Sequence, residues 1–453
     1  MRLHLMTWRG SRATRAVSPK RASRSPSIAH IRDPVELLRL MVAIAYAVGV
    51  TRPRARASRP ISGGRGGERH ATPAVLLVGE GPPRAGGIPT FLAHLRSDPW
   101  LNERVELDYL NTTHDRGRQP GAATLANVRL ALRHTLTVLR RARRVDLVHL
   151  NLAPAPALPL LRAVALSLAA RAGGARVILH AHTGRLEACL HSRLYRVLFP
   201  LALRAADLFV VVSRPAEGAA RRFGGNVARL ENGVDPAEFG LDLRGTRPVL
   251  MAFVGTVCER KGLIDLRDAL VRVGQCHESG GSLRVVVAGD GAQEGPGAFE
   301  RVKEAYREVP GVEFAGRLGR QAIVRLLEEA NIFCLPSHWE GFPLSLLEAM
   351  AAGTAVIATS VGDVSAMLDG GRAGVLVPPH DPGRLAEAIE RLATDPGERR
   401  RLGSTAKARV QAHYQRRHTV ETLYRTYLTV LSTSTGEGAS RARARARSAP
   451  HST

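Results

Sequence analysis

From residue 74 onward, short apolar runs alternate with longer stretches whose apolar residues recur at helical spacing. The runs Ala74–Gly79, 105–109, 145–150, Arg176–Ala181 and 207–212 are apolar almost throughout rather than at every second position. Strands that read this way are parallel and covered on both faces. Between them, 122–144, 158–172 and 191–205 have helical length and spacing. Repeated strand–helix units of this kind predict a doubly wound α/β sheet. The rhythm restarts after Pro248, with strands expected at Val249–Val254, Leu283–Ala288, 312–314, Ile332–Leu335, 355–358 and 374–377. Helices are expected at 263–273, 320–330, 344–352 and 384–393. The polar, turn-rich stretch 231–247 between the two series predicts a hinge. Two doubly wound units joined there would face their strand carboxyl ends toward a central cleft, where such folds bind ligands.

At 453 residues the chain exceeds one ordinary core. The expected division is a basic extension over 1–70, a first α/β domain over 71–240, a second with terminal helices over 241–432, and a low-complexity basic tail over 433–453. Composition predicts no fixed fold for the two ends. They also carry much of the charge of +25. Residues 1–70 hold fourteen arginines and Lys20 against Asp33, Glu36 and Glu68, a net +12; the tail adds +3, which leaves +10 for the body. A basic body favours anionic partners such as nucleotide diphosphates or lipid headgroups. Specific nucleic-acid binding is not expected, because aromatics make up only 4% and no zinc-finger spacing or helix-turn-helix signal accompanies the charge. Cys189, Cys258, Cys276 and Cys334 are scattered without a C-x-x-C pair, which suits reduced thiols in a cytoplasmic protein. The start lacks the apolar core of a secretory signal. The apolar stretch from Leu40 to Val50 is too short to span a bilayer; it reads either as a helix lying on a membrane surface or as sequence outside the working protein.

The densest candidate chemistry lies in HWEGFPLSLLEAMAAG, residues 338–353. It follows a predicted strand and opens through Gly341–Phe342–Pro343 into a helix, whose free N–H groups suit an anionic or polyhydroxyl ligand. Glu340 precedes the turn and Glu348 lies inside the helix, in an otherwise apolar run where a carboxylate can accept both hydroxyls of a ribose. Lys261 sits on the loop after Val249–Val254, where a cation can meet a diphosphate. Lone loop lysines are usually just solvated. Yet this chain has only four lysines among its many arginines, which hints at a need for a compact point charge. His182 ends the strand run Arg176–Ala181, at a position where it could sit beside a bound sugar; a buried, hydrogen-bonded histidine is the simpler alternative. Gly86 and Gly87 follow the first strand and would let backbone approach a phosphate or acceptor closely. They are not a G-x-G-x-x-G dinucleotide signature.

Taken in order, GGI at 86–88, ADLFVVVS at 206–213, NGVD at 232–235, ERKG at 259–262, VVVAGDG at 285–291, FAGRL at 314–318 and the E-x7-E pair Glu340/Glu348 resemble glycosyltransferase family 4 over nearly all of 74–430. The resemblance implies a GT-B fold of two Rossmann-like domains, the first binding acceptor and the second a nucleotide sugar. It implies a retaining, metal-independent transfer from a nucleoside diphosphate sugar, without a further cofactor, to a glycan or lipid-linked acceptor. Glu348 would hold the ribose, and Glu340 the sugar, together with the turn formed by Gly341, Phe342 and Pro343. The backbone near Leu318 would face the nucleobase, and Lys261, His182 and Glu340 would form the catalytic set. Where the family usually has a second diphosphate-binding arginine this chain has Thr256, leaving Arg260 as the substitute. A cytoplasmic enzyme of cell-envelope or exopolysaccharide synthesis, free or resting on the inner membrane face, is the expectation. The chain has no D-x-D, Walker A or G-x-S-x-G motif, which argues against metal-dependent GT-A, NTPase and α/β-hydrolase designs. The alternative is a GT-B scaffold that has lost catalysis, or a basic nucleic-acid binder.

Overall fold

The computed structural model describes residues 72–433 except 85, 114–124, 156, 243, 245–247, 277–282 and 292–296. Expectations for 1–70 and for the tail beyond 433 lie outside the described residues. Two six-stranded parallel sheets make the frame. The first contains β1 (Ala74–Gly79), β2 (Glu106–Asn111), β3 (Leu147–Leu152), β4 (Arg176–Ala181), β5 (Leu208–Val211) and β6 (Val227–Arg229), in the order β2-β1-β3-β4-β5-β6. The second contains β7 (Val249–Val254), β8 (Leu283–Ala288), β9 (Val312–Gly316), β10 (Ile332–Leu335), β11 (Ala355–Thr359) and β12 (Val375–Val377), in the order β12-β11-β10-β7-β8-β9. The expected doubly wound α/β architecture is therefore present. Central strands such as β3 and β10 are buried at every residue, as continuous apolar runs require. The three-residue β6 was not legible, because so short a segment carries no periodicity.

Strand order reverses between β1 and β3 in the first sheet and between β7 and β10 in the second. Loops leaving the carboxyl ends of those strands diverge to opposite faces and open a crevice at each switch point.

The helix Arg416–Ser432 corrects the expectation that the terminal helices stay with the second domain. Its buried stripe of Val420, Leu423, Tyr427 and Val430 packs on Val75, Leu77, Ile178, Leu208 and Val210 of the first sheet. That face of the sheet is apolar and would otherwise be wet. The chain thus crosses between the units twice, and the crossings lie side by side. The Val234 N–H donates to the Tyr414 carbonyl at 3.0 Å, and the Arg416 N–H donates to the Val234 carbonyl at 2.7 Å. Among the described residues, no helix is long and apolar enough to cross a membrane.

Leu423 is fully buried in this seam. Leu423→Ala should cost about 2–5 kcal/mol of stability, by lost transfer energy and the cavity left behind. Urea denaturation of the two proteins should show a lower midpoint; an unchanged one would mean that the helix does not hold the first sheet closed.

Candidate active site

Lys261 and Glu340 arrive from the loops after β7 and β10, the two strands that flank the second switch point. The Lys261 Nζ donates to Glu340 Oε1, and the Ser337 Oγ donates to the same oxygen at 2.7 Å. The two charged side chains are only 13% and 10% exposed, so they meet largely out of water. Close approach of backbone makes this possible. A Cβ on Gly262, where φ is 69°, would lie 1.8 Å from the Pro336 carbonyl oxygen. A Cβ on Gly184, in the loop after β4, would lie 2.5 Å from the Glu340 carbonyl carbon. The first sheet's His182–Gly184 loop is thus seated directly on the Glu340–Gly341 turn. A second bridge runs from the Asn232 Nδ2 to the Phe342 carbonyl at 3.2 Å, and a third from the Arg214 N–H to the Asp363 carboxylate at 2.9 Å.

Glu348 makes no hydrogen bond or ion pair with that pair. One helical turn inside Leu344–Ala351, it accepts from Arg320, which sequence reasoning missed. Desolvation raises the carboxyl's pKa, against the opposing Arg320 charge. Arg320 also donates from Nε to Glu238 at 2.9 Å, and Arg416 donates to Glu238 at 2.8 Å and to Asp235 at 2.9 Å. Burial works against ionisation of Glu238, but hydrogen bonds from Arg320 and Arg416 outweigh it and hold its pKa low. This chain of ion pairs joins the second unit, the hinge and the last helix.

His182 is part of a stack at the end of the first sheet. The Asn151 Nδ2 donates to the His149 carbonyl at 3.2 Å, which turns its Oδ1 toward His182 Nε2 at 3.0 Å. Nε2 therefore carries the proton of the neutral ring, and Nδ1 keeps the lone pair. Behind it, the His180 and His182 rings lie 4.0 Å apart, His180 Nδ1 is 3.3 Å from His149 Nε2, and His149 Nδ1 is 2.8 Å from the Tyr427 hydroxyl. Desolvation lowers the pKa of His149 and of His182 to about 3, and holds His180 well below its ordinary value. No motif announced this network; only His180 in β4 and His182 just past its end, two residues apart, hinted at it.

The remaining expected residues divide. Gly86, at φ 135°, caps the helix Gly87–Ser97, and a Cβ on Gly87 would meet nothing within 4 Å, so this backbone is open to a ligand. Leu318 is half-buried against the second core. Arg260 stacks over Trp339 at 4.6 Å, on a ring that Arg185 of the first unit also covers at 4.9 Å. Its guanidinium is thus turned to the indole, one residue from Glu340. Pro343 precedes the helix at its N-cap, and Phe342 is buried. Arg317 is held by Asp290 at 2.9 Å and reaches the Pro83 carbonyl at 2.5 Å, a further contact between the two units. Among the described residues, Asp265, His338 and His380 bring potential metal-ligand atoms within 4.8 Å of one another. The bond they make on their own, His338 Nε2 to Asp265 at 2.9 Å, braces the 338–340 turn against the helix Leu263–Cys276.

Two doubly wound sheets whose switch-point loops converge on a cation, buried carboxylates and exposed helix-start backbone form a two-domain α/β fold of the GT-B type. Comparison with known proteins agrees. Residues 78–238 match the family model described as Glycosyltransferase Family 4, and residues 248–395 match that of Glycosyl transferases group 1. Together these matches span well over half of the chain, which belongs to this glycosyltransferase family. It is 27% identical to a glycogen synthase of Mycobacterium tuberculosis over 51% of its own length and 56% of the relative's. It is 32% identical to a D-inositol 3-phosphate glycosyltransferase of Kribbella flavida over 42% and 45% of the two chains. The chain therefore spans about half the length of the curated relatives it matches. Sucrose-phosphate synthase from Thermosynechococcus elongatus superposes with a TM-score of 0.65 at 20% identity, over 80% of this chain and 100% of that one. Anabaena HepE, in complex with UDP and glucose, does so with a TM-score of 0.61 at 18% identity, over 78% and 98%.

The histidine stack carries a pH signature. Unfolded histidines take up protons from about pH 6.5 downward, whereas His149 does so in the fold only near 3. Its stabilising contribution is complete above about 6.5. It declines as pH falls toward 3, by up to roughly 1.4 kcal/mol per pH unit for each such histidine. Urea midpoints measured between pH 4 and 7 should fall with pH, and His149→Gln should flatten the slope. Parallel slopes would mean that His149 is protonated in the fold.

Proposed function

We propose that the chain transfers a sugar from a nucleoside diphosphate sugar to an acceptor hydroxyl, with retention of anomeric configuration and without a metal ion. The observation that supports this most is the Lys261–Glu340 pair at the β7/β10 crevice, seated against the His182–Gly184 loop of the other sheet. A preorganised ammonium in a site shielded from water strongly favours negative charge developing beside it. In this reading Lys261 neutralises the departing diphosphate, helped by the backbone of Gly86 and Gly87 at a helix start. Glu340 and the Gly341–Pro343 turn hold the sugar. Glu348 takes the ribose diol, exchanging part of its pairing with Arg320, and the Leu318 backbone meets the base. His182, neutral and with Nδ1 as an acceptor, receives a hydrogen bond from a sugar hydroxyl.

The sugar–phosphate bond breaks as the acceptor oxygen bonds to the same face of the anomeric carbon. The acceptor proton passes to the leaving diphosphate oxygen. Thr256 provides no positive charge at the usual arginine position, so Lys261 carries most of that stabilisation. The acceptor is a glycan or lipid-linked precursor of envelope or exopolysaccharide material, met at the inner membrane face. The HepE complex with UDP-glucose makes that donor the first to try.

Lys261→Ala should lower turnover about 10²–10³-fold, the loss of about 2.7–4 kcal/mol that removal of one preorganised transition-state contact typically brings. Glu348→Ala should chiefly weaken donor binding and raise its KM. Both are checked by product assay with nucleotide sugars, alongside circular dichroism to show an intact fold. Wild-type turnover in folded Lys261→Ala would remove the assignment. Failure of every nucleotide sugar to bind, together with RNA binding that survives removal of both basic ends, would favour the scaffold alternative.

A further inference from the structure

One face of the first sheet is covered by the helices Leu125–Ala142, Ala157–Ala172 and Arg193–Ala205, packed side by side in that order. Their inner sides fill the core with Val138, Leu160, Leu166, Tyr195, Phe199 and Ala202. Their outer sides are unusual in two ways. Leu136, Leu158, Leu194, Val197 and Leu201 project into solvent there, with Val197 73% and Leu194 59% exposed. In the helix Arg193–Ala205, three such residues fall at i, i+3 and i+7, which aligns them along one stripe. The three helices also contain nine arginines and no Asp or Glu. Arg141 pairs with Asp108 and Arg171 reaches Asp207. The exposed Arg129, Arg133, Arg140, Arg193, Arg196 and Arg204 form no ion pair among the described residues.

Exposed apolar side chains set in a field of unpaired arginines match the boundary between the headgroups and acyl chains of an anionic bilayer. We propose that this three-helix face docks on an anionic membrane surface, with Leu194, Val197 and Leu201 entering the headgroup layer and the arginines meeting lipid phosphates. The inference goes beyond glycosyl transfer and does not depend on it. Charge decides among the possible occupants. The chain's own residues 1–70 carry a net +12 and a second copy would present the same arginines, so both are repelled. Nucleic acid would satisfy the arginines but leaves the apolar stripe without a partner.

The test places one added reporter in the full-length chain, as Val197→Trp on the stripe or Leu428→Trp on the helix covering the opposite face of the sheet. Each is mixed with brominated phosphatidylglycerol–phosphatidylcholine vesicles. Quenching is expected for the tryptophan at 197 and not for that at 428, since only the first reaches the acyl boundary. Combined Arg193→Glu, Arg196→Glu and Arg204→Glu should reduce vesicle binding at least tenfold, and raised salt should weaken the wild type. Equal quenching at both positions, or none at 197, would overturn the proposal even if the basic extension tethers the chain to vesicles. So would a dimer that Leu194→Ser dissociates, or RNA binding that the arginine variant abolishes while vesicle binding persists. None of these readouts uses a sugar donor, so they stand apart from the outcome of the transfer assay.

Discussion

A cation and an anion held together with little water around them impose the strongest constraint on this molecule. Removing Lys261 and Glu340 from solvent costs each its hydration, and only close geometry and added hydrogen bonding offset that cost. Ser337 supplies the extra donor. The surrounding backbone supplies the geometry, because Gly262 and Gly184 allow main chain to approach where any side chain would collide. The two loops can meet at all because β7 and β10 are neighbours although they are far apart in sequence. That adjacency comes from the strand order, which exists because continuous apolar strands must be covered on both faces.

Much of the frame was legible, since burial on both faces leaves a mark that single residues cannot hide. The strands Ala74–Gly79, Arg176–Ala181, Val249–Val254, Leu283–Ala288 and Ile332–Leu335 fall where their apolar runs placed them. The short β6 left no such mark. Nor did the destination of the helix Arg416–Ser432, because an amphipathic stripe states that a face is buried without stating against what. The same limit applies to the site. Lys261 and Glu340 meet, as a fold with a central crevice leads one to expect, but their neighbours had no local signal. Arg320 reaches Glu348 across 28 residues, and Tyr427 reaches His149 across 278. Partners at such separations belong to the tertiary structure and not to any motif.

The histidine stack shows how a polar group is tolerated in the interior. His149, His180 and His182 stay neutral because burial penalises their charged forms. Hydrogen bonds to Tyr427 and Asn151 satisfy part of what water would otherwise supply. His180 Nε2 is left without a protein partner, so the stack is not saturated. The arrangement ties the end of β4, which faces the second unit, to a helix on the far side of the first sheet.

The paired crossings at Val234 and Gln415 have a mechanical consequence. Because the two connecting strands are bonded to each other, they act as one short ribbon joining the units. Neither crossing can therefore shift without breaking the hydrogen bonds that it makes to the other.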